Sequence, residues 1–190
     1  LEREVEDIEA LIDAAGGTAF LYGHSSGAIL ALEAAMRLGC KVSKLVMYDP
    51  SYSHNEENQG EFNELSQELY ALLDSGKNEE AITSFLEGIG IPSDMISYMQ
   101  QSPQWATMAA LAPTLAYDIT LGSDLPPVER ASRLTTPAQI IVGENSPASI
   151  HEVANQLTKT IPNVRYTRLA GQDHMPSPEV VLPVLAGFLR

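Results

Sequence analysis

Residues 20–29 read FLYGHSSGAI, and the short stretch Gly23-His24-Ser25-Ser26-Gly27 inside it decides the fold. An apolar, strand-like run enters it, and an Ala- and Leu-rich, helix-like run leaves it and continues to Leu38. A chain that turns directly from strand into helix forces its corner residue into a strained backbone conformation, and small neighbours relieve the crowding. The corner serine then projects its hydroxyl from the sheet edge, at the positive end of the helix. The pattern predicts Ser25 as a nucleophile and the backbone N–H of Ser26 as an oxyanion donor. The competing reading of the same glycines is a strand–helix turn that binds phosphate.

Outward from this turn the chain alternates. Val5, Ile8, Leu11 and Ile12 share one helical face between residues 3 and 14, and Gly16-Gly17 ends that helix. Strands are predicted at 18–22 and 43–48, with a helix over 26–38 between them. Such alternation implies an α/β protein with a parallel sheet and flanking helices. The rhythm breaks from 51 to 127, where no strand is legible and helices are predicted at 60–74, 77–88, 93–101 and 103–120. It resumes with strands at 138–143 and 164–169 and helices at 149–161 and 177–190. The expected organisation is therefore a core over 1–50, a helical insertion over 51–127, and a return to the core over 128–190.

Bulk properties narrow the function. With 190 residues and 44% hydrophobic content, the chain can bury one sizeable core. A formal charge of -14 disfavours nucleic acid and anionic membrane as partners. A single cysteine, Cys40, rules out an internal disulfide framework and a cysteine-based zinc site. No His/Asp/Glu cluster has metal-ligand spacing, and no apolar run approaches membrane-span length. No signal peptide is visible, so the expectation is a cytoplasmic protein without metal or cofactor, acting on a small molecule. Oligomeric state is left open, a homo-oligomer included.

A serine hydroxyl needs a base. Of four histidines, His24 lies inside the turn, its ring expected to point away from the serine, and His54 opens the insertion. His151 lies early in an amphipathic helix. His174, in "LAGQDHMPSP", follows the last strand, and in a parallel sheet that loop emerges at the same carboxyl edge as Ser25. His174 is the expected general base.

Taken in order, "YGHSSG", "KLVMYDP", "TPAQIIVGENSP" and "LAGQDH" resemble the α/β-hydrolase fold, in its capped serine-hydrolase branch. The resemblance spans nearly the whole chain. It implies a Ser–acid–His order, a helical cap shaping a pocket, and usually no cofactor. The family commonly places its acid where this chain has Ser146, and serine cannot replace a carboxylate. Some members draw the acid from the strand after the nucleophile helix, which here gives Asp49; Glu144 is the alternative. The resemblance further implies several strands before the nucleophile, one of which supplies a second oxyanion donor. Here Ser25 comes too early for them, so an upstream segment or a second chain is expected to complete the sheet.

The leading expectation is hydrolysis of an ester or related acyl bond of a small, apolar substrate, with Trp105, Met108 and Tyr117 as candidate pocket residues. Those three also fit simple packing within the insertion. Lactonase, thioesterase, carbon–carbon bond hydrolase and cofactor-free perhydrolase chemistry run on the same residues. A non-catalytic ligand-binding relative is the alternative of a different class.

Overall fold

The computed structural model describes all 190 residues. The chain forms two compact units, one of residues 1–54 and 124–190, the other of residues 55–123.

The first unit is a parallel α/β layer structure. Its strands are β1 (Ala19–His24), β2 (Val42–Tyr48), β3 (Ala138–Gly143) and β4 (Val164–Leu169), in spatial order β1-β2-β3-β4, every pair parallel. Helix α1 (Glu2–Ala14) precedes β1, and α2 (Ser26–Leu38) joins β1 to β2. The central strands carry the core. Leu45 to Tyr48 and the whole of β3 are buried, as their mainly apolar runs fit strands covered on both faces; Gln139, the polar residue of β3, donates to the Thr167 hydroxyl at 3.0 Å. β1 is an edge, where burial alternates and Phe20 and Tyr22 remain about half exposed. α2 packs its Ala28, Ile29, Ala31, Leu32, Ala34 and Ala35 inward; small residues let the helix approach the sheet closely.

The second unit is helical throughout: α3 (Glu56–Asp74), α4 (Asn78–Gly88), α5 (Ser93–Gln100), α6 (Trp105–Leu111) and α7 (Leu115–Gly122). Helix α3 begins four residues before its expected start because Asn55 caps it, its side chain accepting from the N–H of Asn58 at 2.8 Å. The single helix expected over 103–120 is instead two, divided by a 3-10 turn at Ala112–Thr114. Pro113 lies in that turn; it lacks an N–H and its ring crowds the preceding turn of a helix.

The chain then returns to the first unit through the short α8 (Val128–Ala131), absent from the sequence expectation, which starts directly behind Pro126-Pro127. Helix α9 (Ala148–Thr160) joins β3 to β4, and α10 (Pro178–Leu189) closes the chain. α10 buries Val181 and Phe188 against Val46, Tyr48, Ile141 and Leu169. No helix is long and apolar enough to cross a membrane.

Candidate active site

The strand ends are in step along one edge of the sheet. Ser25, following β1, donates its N–H to the carbonyl of Tyr48 at 3.0 Å. Asp49, following β2, donates to Ile141 at 2.9 Å, and Glu144, following β3, donates to Leu169 at 2.9 Å. Each residue therefore extends the ladder by one bond before its chain leaves the sheet. Because all strands run parallel, the loop after β4, which carries His174, emerges at the same edge.

Two of these corner residues have a strained backbone. Ser25 has φ 58° and Asp49 φ 45°, the only non-glycine residues with positive φ. Such conformations persist where the surrounding structure over-determines them, and they gather at functional sites. At Ser25 the cause is visible. A Cβ on Gly23 would lie 2.1 Å from the carbonyl oxygen of Gly27 and 2.6 Å from Cα of Ala28. The strand thus meets the first turn of α2 backbone to backbone, which only glycine at position 23 permits. Ser26 is the first residue of α2, beside Ser25 at the positive end of the helix.

The side chains converge. Ser25 Oγ lies 3.1 Å from His174 Nε2, and His174 Nδ1 lies 3.0 Å from Asp49 Oδ2. The carboxylate can only accept, so Nδ1 carries the proton and Nε2 is left to accept from the serine hydroxyl. Asp49 is fully buried, at 0% exposure, and a buried carboxylate needs donors. It has two besides His174: the N–H of Gly143 reaches Oδ1 at 3.1 Å, and the Ser146 hydroxyl reaches Oδ2 at 2.6 Å. Ser51 adds a hydroxyl 3.2 Å from Ser25 Oγ while donating its own proton to the carbonyl of Asp49 at 3.0 Å.

Glu144 is engaged elsewhere. Its Oε2 accepts from the N–H of Gly171 at 2.8 Å, and its Oε1 lies 3.9 Å from Arg168, so the carboxylate braces the turn after β4. His54 lies 3.6 Å from Glu152, and His151 is half-buried on α9. His24, whose ring is expected from sequence to point away from the serine, has its Nε2 at 2.7 Å from the backbone carbonyl of His174. In the helical unit, Trp105 is buried in a cluster with Ile82, Leu86, Ile96 and Ala112, Met108 packs against that cluster, and Tyr117 is 60% exposed. Trp105 and Met108 thus build the core of the helical unit.

Ser51, Ser146, His24 and Tyr48 escaped the sequence reading as contributors to the site. Ser146 alone carried a signal, since it occupies the position where the resemblance expected a carboxylate.

Residues 1–184 match the model of the alpha/beta hydrolase family. The chain belongs to that family. An alpha/beta hydrolase from Sphaerobacter thermophilus is 39% identical, with a TM-score of 0.87 over 100% of this chain and 74% of that one. MenH from S. aureus, at 18% identity, superposes with a TM-score of 0.73 over 97% of this chain and 73% of its own. A thermophilic esterase from Thermogutta terrifontis, also 18% identical, gives 0.66 over 98% and 70%. At that level of identity the last two establish the shared fold alone. Comparison with curated protein sequences returns no significant match. The fold of this alpha/beta hydrolase is thus that of a widely used scaffold, on which the chemistry must be argued from the site itself.

Proposed function

We propose that this alpha/beta hydrolase cleaves an ester or related acyl bond of a small, apolar substrate through Ser25, His174 and Asp49. One observation carries the reading: an unbroken hydrogen-bond chain from Ser25 Oγ through both nitrogens of His174 to a buried carboxylate, at 3.1 and 3.0 Å. Nucleophile and base within hydrogen-bond reach, with a third group orienting the base, is the arrangement that activates a serine.

Ser25 Oγ attacks the substrate carbonyl carbon while His174 Nε2 takes its proton. The carbonyl oxygen becomes an oxyanion, for which the N–H of Ser26, the first residue of α2 at the positive end of the helix, is the proposed donor. His174 returns the proton to the leaving alkoxide, so the C–O bond breaks and an acyl-serine remains. Water then attacks the acyl carbon as His174 accepts its proton; the acyl–Oγ bond breaks, His174 returns that proton to Ser25 Oγ, and the carboxylic acid leaves. Throughout, Asp49 holds the His174 tautomer and balances the imidazolium charge.

Fluorophosphonate labelling followed by mass spectrometry tests this directly. An adduct on Ser25, lost in Ser25→Ala and accompanied by turnover of short-chain p-nitrophenyl esters, is expected. A folded protein that neither labels nor turns over any acyl substrate would instead support a ligand-binding role.

A further inference from the structure

We propose that His24 and Tyr48 act as a pair of positioning residues, clamping two consecutive carbonyls of the loop that presents His174. The proposal rests on the Ser25–His174–Asp49 reading and adds to it the device that sets the base in place.

The pair arises from the sheet register. His24 and Tyr48 are direct partners across the β1–β2 ladder. Each is the last residue of its strand, and the next residue in each case is a member of the site: Ser25 after His24, Asp49 after Tyr48. Their rings meet edge to face, with centroids 5.3 Å apart and planes at 82°. From this buttressed position both reach the same short segment. The Tyr48 hydroxyl donates to the carbonyl of Asp173 at 2.5 Å, and His24 Nε2 reaches the carbonyl of His174 at 2.7 Å.

That segment needs holding. Residues 170–177 form turns and bends with no strand or helix to brace them. The start of the loop is tied by Glu144 to Gly171 and by the Asn145 N–H to the carbonyl of Gln172 at 2.8 Å. Its far side, where Met175 is 75% exposed, is tied within the loop itself, by the Met175 N–H on Asp173 Oδ1 and the Ser177 N–H on Gln172 Oε1, both at 2.8 Å. Between them, the carbonyls of Asp173 and His174 flank the His174 Cα, so bonds to both fix the direction in which its side chain leaves the chain. An error of about 1 Å in such a side chain can cost on the order of 10²-fold in rate.

The chemistry of the two donors suits the task. A carbonyl only accepts, so His24 must carry its proton on Nε2. Burial lowers the His24 pKa, opposed by its bond to the His174 carbonyl, and the neighbouring His174 lowers it further while Asp49 raises it. Burial also raises the Tyr48 pKa, reinforced by Asp49 and Asp173, so its hydroxyl stays a donor. Two neutral donors hold the loop without placing a second positive charge beside the imidazolium that His174 becomes. The His24 and His174 rings, 5.0 Å apart, would otherwise repel in that state.

The experiment compares His24→Leu, His24→Gln, Tyr48→Phe and the double variant His24→Leu/Tyr48→Phe. Glutamine reaches about as far as Nε2 and keeps an N–H. The first readout needs no substrate: the low-field proton resonance of His174 Nδ1–H, bonded to Asp49, recorded by NMR. It should broaden or vanish in His24→Leu, in Tyr48→Phe and in the double variant and persist in His24→Gln. The second readout is ester hydrolysis. His24→Leu and Tyr48→Phe should each lower kcat by roughly ten- to a hundredfold with KM changed by less than about threefold, the signature of a lost transition-state alignment. The double variant should lose more than either. Tyr48→Phe removes a single oxygen, so it carries the test if His24→Leu fails to fold. A sharp wild-type resonance and wild-type kcat in folded His24→Leu or Tyr48→Phe would overturn the proposal and leave the pair as core packing. If wild type shows the resonance but Ser25 never labels, the hydrolase reading fails while the clamp is still read from the NMR.

Discussion

The Ser146 hydroxyl donates to Asp49 Oδ2 across 2.6 Å, onto the same oxygen that accepts from His174 Nδ1. Ser146 occupies the position from which a carboxylate was expected, and here it serves the carboxylate that the preceding strand supplies. Asp49 is wholly buried on a positive-φ corner, so its charge depends on this hydroxyl, the N–H of Gly143 and His174. Removing one partner of a buried charged group costs more than the bond it made, because the other partner stays desolvated.

Ser146→Ala should therefore be felt in both stability and rate. Loss of a hydrogen bond to a charged acceptor predicts a fall of about 1.5–3 kcal/mol in unfolding free energy, measured by urea titration. The same variant should lose roughly tenfold in kcat, since about 1.4 kcal/mol of misplaced acid suffices for that. Unchanged stability would mean that the hydroxyl does not compensate the carboxylate.

The two carboxylates near the strand ends separate cleanly by mutation. Asp49→Asn keeps the shape but presents an amide to His174 Nδ1 and can stabilise the wrong tautomer; a loss of roughly 10³–10⁴-fold in kcat is expected. Glu144→Gln retains a carbonyl oxygen for Gly171, and its rate should stay within about twofold of wild type, as for a surface change away from the reacting atoms. Steady-state ester hydrolysis by both variants decides between them, and a larger loss in Glu144→Gln would reassign the acid.

How much of this was legible in the sequence depends on the range of each signal. The βα rhythm, the Ser25 corner and the parallel sheet follow from local patterns, and strand order makes the His174 loop share an edge with Ser25. The boundaries that moved did so for local reasons that sequence reading underweighted, Asn55 as a cap and Pro113 as a breaker. What stayed hidden is long-range. Tyr48 reads as an ordinary strand residue, yet its hydroxyl meets a carbonyl 125 positions away. His24 reads from sequence as pointing away from the adjacent Ser25, whereas its partner in space is the loop that carries His174.

The two glycines of the motif are not equivalent. The collision that demands glycine is at position 23, where an added Cβ meets backbone atoms of Gly27 and Ala28 that cannot swing aside. Gly27 supplies the opposing backbone, and a Cβ there meets nothing within 4 Å. Gly23→Ala should lose more than about 3 kcal/mol or fail to fold, joining the severe class of backbone effects. Gly27→Ala, inside α2, should match wild type or gain up to about 1 kcal/mol from helix propensity. Parallel thermal melts of the two variants check this, and equal losses would show that the strain lies elsewhere in the turn.

His24 predicts an acid-side loss of stability with a definite sign. Burial lowers its pKa in the folded protein, while in the unfolded chain it titrates near the ordinary histidine value of about 6.5. Below that value the unfolded state binds more protons than the native state, so stability rises with pH through the window and falls on acidification. Above it both states hold His24 neutral and its contribution to the slope vanishes. His174, Asp49 and Tyr48, the titratable groups that face it, remain in place in His24→Gln, so the difference between wild type and that variant reports the His24 proton. Unfolding free energies measured at about pH 7.5 and about pH 5 should show wild type losing more than His24→Gln between the two. Parallel losses would mean that His24 takes up its proton in the native state as readily as in the unfolded one, and that the donor at Nε2 tolerates a charged ring.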